Sequence, residues 1–95
     1  MKELAELRQE LDQLDKEMVA LFERRMAISR QVAQVKLAHD LPVLDAGREA
    51  QVIASREAML ADPALAPSVR GLFESIMALS RQEQEALMRE VRGDA

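Results

Sequence analysis

A chain of 95 residues makes one domain, and with no cysteine and a single histidine, His39, it can form neither a disulfide nor a Cys- or His-rich metal site. A net charge of −4 and only two aromatic residues, Phe22 and Phe73, exclude a general nucleic-acid surface, which needs clustered cations and stacking platforms. No apolar run approaches the ~18 residues that span a bilayer, and Met1-Lys2-Glu3-Leu4-Ala5-Glu6 lacks the apolar segment of a signal peptide, so the expected setting is the cytoplasm.

From Met1 to Leu41 there is neither Gly nor Pro, and apolar residues recur at Leu4, Leu7, Leu11, Leu14, Met18, Leu21, Ile28, Val32 and Val35 in steps of three and four. The spacing predicts one long amphipathic helix over about 2–39. One step is missing, because position 25, due to be apolar, carries Arg25. A helix of that length is about 57 Å long, whereas a compact chain of this size has a radius of gyration of about 12 Å. The remaining chain cannot cover such a rod. The uncovered stripe therefore predicts a homodimer in which two long helices pair.

Pro42 cannot continue the helical ladder and holds Leu41 extended, so the first helix is expected to fray between Ala38 and Leu41. Asp45 is placed to cap a second helix over about 46–61, with Val52, Ile53, Met59 and Leu60 along one side and Asp62-Pro63 ending it. Either Asp62 or Ser68 could cap the third helix, expected over about 67–91, which carries Val69, Leu72, Phe73, Ile76, Met77, Leu87 and Val91 at helical spacing. Gly93 marks its fraying end. Between Phe73 and Leu87 the same stripe passes through Ser80 and Gln84. With no repeat and no strand-like alternation, the predicted fold class is all-α, three helices per chain in a single domain over 1–95.

Polar residues thus fall on apolar faces of all three helices. Arg25, Ser29, Val32 and Lys36 share one face of the first. Glu49 lies three and four residues before Val52 and Ile53, with Arg48 beside it. A core lined by Arg25, Lys36, Glu49, Ser80 and Gln84 would be a polar pocket for an anion inside an apolar shell. Each residue also has a plainer reading. Arg25 could set helix register, with Arg24 a rival for its role; Arg8 and Lys36 could sit on a solvated edge. Ser80 and Gln84 could be an interhelical hydrogen-bonded layer, and Arg48 and Glu49 surface residues near a helix start. Arg8 shares a heptad position with Lys36, but 28 residues set them about 42 Å apart on one helix. In an antiparallel pair, Arg8 of one copy could approach Arg25 and Lys36 of the other.

Several segments, in order, resemble a known family: Leu7-Arg8-Gln9-Glu10-Leu11-Asp12-Gln13-Leu14-Asp15, Glu23-Arg24-Arg25-Met26-Ala27, Val35-Lys36, Pro42-Val43-Leu44-Asp45-Ala46-Gly47-Arg48-Glu49 and Ser80-Arg81-Gln82-Glu83-Gln84. They look like the all-helical chorismate mutases of the bacterial AroQ type. The resemblance covers nearly the whole chain and implies an intertwined dimer of three-helix chains that converts chorismate to prephenate without a cofactor or metal. It implies that Arg25 and, from the other copy, Arg8 hold the substrate's two carboxylates. Lys36 would bind a carboxylate and the ether oxygen, to which Gln84 also donates. Glu49 and the backbone of Asp45 would meet the ring hydroxyl, while Arg48 and Ser80 complete the pocket. The match selects Arg25 over Arg24. Gly47 departs from the pattern, since some relatives carry a charged residue there.

Two other functions compete. An isochorismate–pyruvate lyase resembles these mutases in fold and basic pocket, but as the resemblance implies, its relatives lack an acidic residue after the Arg matching Arg48; Glu49 favours the mutase. A helical dimerisation module without catalysis would need none of the buried cations.

Overall fold

The computed structural model describes residues 1–93. Asp94 and Ala95 lie outside the described residues, and with them the end of the expected domain. Helix α1 runs unbroken over Leu4–Ala38, as the absence of Gly and Pro dictates. It ends within the expected stretch of 38–41, but on an ordered turn rather than by fraying against Pro42. Asp40 takes a left-handed conformation with φ 55°, which lets the Leu41 amide turn back to the Lys36 carbonyl at 2.8 Å and the Asp40 amide to Leu37 at 3.4 Å. These bonds satisfy carbonyls that a simple fraying end would leave open, and the proline follows the turn.

Helix α2, Ala46–Ala58, starts on Asp45, whose carboxylate accepts the Arg48 amide at 3.0 Å. It ends three residues short of the expected boundary, with Met59 and Leu60 already beyond the last helical turn. Neither Asp62 nor Ser68 caps the third helix, whose N-cap is Leu65 with no side-chain bond; the cap falls one turn earlier, on Asp62. Its side chain accepts from the Ala64 amide and caps a short 3₁₀ turn, Pro63–Leu65, that leads directly into α3, Ala66–Arg92. Ser68 lies inside α3, Pro67 sits in its first turn, where a missing N–H costs nothing, and Gly93 closes it at φ 78°. The described chain is all-helical, with three α-helices as expected and no strand.

Helix α3 is the hub, packing against both α1 and α2. Ala33, Leu87 and Met88 form a core cluster, with Leu37 and the loop residue Val43 packed on it. Val52 of α2 and Met77 of α3 are buried nearby. The radius of gyration is 16.9 Å, well above the about 12 Å of a compact chain of this length. The excess comes from α1: every residue from Leu4 to Arg24 is exposed, including the leucines of the stripe. No described helix is long and apolar enough to cross a membrane.

Candidate active site

Where α1, α2 and α3 converge they enclose a cavity of about 370 Å³. Arg25, Ile28, Ser29, Val32 and Lys36 line it from α1, Arg48, Glu49 and Val52 from α2, and Met77, Ser80, Arg81 and Gln84 from α3; Val43 and Asp45 close it from the connecting loop. The helical period explains the first set, since residues 25, 29, 32 and 36 lie along one face. The tight turn at Asp40 explains the loop's share, because it folds Val43 back against the end of α1.

A chain of hydrogen bonds runs across this wall. The Lys36 ammonium donates to the Val43 carbonyl at 2.6 Å and to Gln84 Oε1 at 2.9 Å. An ammonium can only donate, so this contact fixes which end of the amide faces it. Gln84 Nε2 then points the other way and donates to Ser80 Oγ at 3.2 Å, and Ser80 Oγ bonds Ser29 Oγ at 2.7 Å. Ser29, Ser80 and Gln84 are all buried, and no buried side-chain nitrogen or oxygen lacks a partner among the described residues. A fully connected polar layer of this kind holds its members in one arrangement. Lys36 keeps one ammonium proton and Gln84 one amide proton beyond these bonds.

The charges around the layer are unequal. Arg25, Lys36, Arg48 and Arg81 face two carboxylates, Asp45 and Glu49. Glu49 is paired with Arg81, and one oxygen of Asp45 is taken by the helix cap. Burial pushes the Arg25 guanidinium below its ordinary pKa, and the nearby charges of Arg56 and Arg48 push it further the same way. A guanidinium nonetheless stays protonated at neutral pH. An anion placed beside it would favour the charged form and oppose both effects.

The chorismate mutase type II family matches this chain over residues 7–85. The chain belongs to that family. Among curated proteins, the T-protein of Haemophilus influenzae (strain ATCC 51907 / DSM 11121 / KW20 / Rd) is 39% identical over 56 residues, which are 59% of this chain and 15% of the relative. The chain therefore spans only a minor part of the curated relative that it matches. No solved structure matches it significantly.

For a chorismate mutase type II chain, the positions singled out from sequence separate into two groups. Arg25, Lys36, Asp45, Arg48, Glu49, Ser80 and Gln84 all line the one cavity, whereas Arg8 is exposed on the free part of α1 and does not reach it. Arg24, the rival of Arg25, is exposed and outside the lining. Sequence reasoning left Arg81 without a role and gave Ser29 only a place on the helix face. Arg81 sits one residue past the Ser80 and Gln84 stripe. No sequence pattern selects it; only the packing of α3 against two helices widens its inward face beyond one stripe.

Proposed function

We propose that this chain is a chorismate mutase, rearranging chorismate to prephenate, and that it works as a homodimer. The observation that carries the reading is the joined layer of Lys36, Gln84 and Ser80 inside a cation-rich cavity of about 370 Å³. A Claisen rearrangement needs no nucleophile, acid or base from the protein. Its carbon–oxygen bond breaks with negative charge growing on the ether oxygen, so donors held at that oxygen act chiefly in the transition state. The spare protons of Lys36 and Gln84 are suited to that role. Because their other protons are already engaged by Val43, Gln84 and Ser80, little reorganisation accompanies the reaction.

Arg25 takes one substrate carboxylate, and binding it offsets the repulsion from Arg48 and Arg56. The second carboxylate falls to Arg8 of the other copy. Within one chain Arg8 lies 17 positions before Arg25, about 25 Å along the helix. The dimer is supported by the stripe Leu4, Leu7, Leu11, Leu14, Met18 and Leu21, each between 44% and 60% exposed in one chain. An apolar surface this long is an association surface. Gripping both carboxylates folds the substrate's side chain over its ring, which contributes orientation. Glu49 and the Asp45 backbone receive the ring hydroxyl, and Arg48 and Ser80 complete the wall.

Prephenate formation by the purified chain tests the reading directly. Failure to convert chorismate, or release of pyruvate from isochorismate without prephenate from chorismate, would overturn it.

A further inference from the structure

Glu49 of α2 meets the ring hydroxyl in the chemistry described above, but its ion-pair partner Arg81 of α3 has no part there, although it too lies in the cavity wall. Theirs is the most enclosed ion pair among the described residues, with side chains 32% and 22% exposed; each of the others has a member at least 42% exposed. Arg81 Nη1 donates to Glu49 Oε1 alone, and Oε2 takes no hydrogen bond from the described residues. A bare carboxylate here would repel a dianionic substrate, since like charges cost most where water is scarce. A carboxylate neutralised on one oxygen and held in one rotamer can instead accept a hydroxyl proton with the other.

We propose that Arg81 is a positioning residue that sets substrate specificity: it fixes and neutralises Glu49 so that the free oxygen reads the hydroxyl on the substrate ring. The inference rests on the chorismate mutase reading and on Glu49 facing that hydroxyl. It assigns Arg81 no contact with the substrate.

The test is calorimetric binding of two bicyclic dicarboxylate analogues of the transition state, identical except that one lacks the ring hydroxyl. The parent chain should prefer the hydroxylated analogue by roughly 10- to 100-fold, the range for a hydrogen bond to a charged acceptor. Arg81→Gln, which keeps the length and loses the charge, should shrink that preference below about threefold, as should Glu49→Gln, while Arg81→Lys keeps most of it. In the Glu49→Gln background, Arg81→Gln should change the preference no further. An Arg81→Gln chain that weakens both analogues equally would make Arg81 a carboxylate clamp, and one that no longer folds would make the pair a staple between helices; either overturns the inference. If the parent binds neither analogue, the mutase reading itself has failed. If it binds both equally, that reading stands and the specificity assignment falls.

Discussion

The two ends of α1 carry one apolar stripe but differ in what packs on the neighbouring face. From Leu4 to Arg24 every residue is exposed; from Arg25 onward Met26, Ser29 and Ala33 are buried and Lys36 and Leu37 half-buried. The stripe breaks only at Arg25 and stays exposed on both sides of it, at Ile28, Val32 and Val35 as at Leu4 to Leu21, so periodicity alone does not decide what is covered. The difference is whether α3 lies alongside. It teaches that the packed half lines a polar cavity formed within one chain, whereas the free half carries an uncovered stripe and Arg8.

Substitution within the stripe should separate the two halves of α1 most sharply. Leu11→Glu with Leu14→Glu costs an isolated chain little, because both side chains are exposed and glutamate is nearly as good a helix former as leucine. If two copies bury these leucines, four are lost per dimer, and at about 1.5–3 kcal/mol each the association should disappear. Sedimentation should then read monomer where the parent reads dimer, with prephenate formation lost in parallel. An unchanged oligomer with full activity would leave the free half without a purpose.

Lys36→Ala asks the reverse question of the packed half. Removing one fixed donor should lower kcat by about 2.7–4 kcal/mol, or roughly 100- to 1000-fold, while the sedimentation profile stays that of the parent. Lys36 also fixes the amide of Gln84, so Gln84→Ala added to Lys36→Ala should cost less than the product of the two single effects. Parent-like kinetics for Lys36→Ala would remove the layer from the mechanism. Arg8→Ala comes next in size. The substitution removes a charge-assisted contact from the far half, so kcat/KM should fall by about 1.5–3 kcal/mol with KM raised, while the thermal midpoint barely moves.

How much of this was legible depended on whether a residue breaks a local pattern. Arg25 interrupts an apolar series, and Ser80 and Gln84 interrupt another; all three line the cavity. Asp45 announced a helix start by its type and does cap α2. Arg81 broke no pattern, because a cation beside a polar stripe reads as solvated until the second packing partner of α3 is known. The bond between Ser29 and Ser80 joins residues 51 positions apart, and nothing in either local sequence selects the other. The turn at Asp40 was hidden for a different reason: a left-handed residue other than glycine carries a weak signal, and Pro42 offered a sufficient explanation for the helix end.

Asp45 allows the finest separation of fold from chemistry, because it lines the cavity and caps α2 with the same residue. The reading gives its backbone, not its carboxylate, to the substrate. Asp45→Ala should therefore lower stability by about 1 kcal/mol through the lost cap, seen as a drop of a few degrees in Tm, while kcat changes less than threefold once the chain is folded. Asp45→Asn should recover most of the stability, since the amide oxygen still accepts from the Arg48 amide. A large loss of kcat in the Asn variant would mean that the carboxylate charge acts on the substrate, and that the cavity holds a second acceptor beside Glu49.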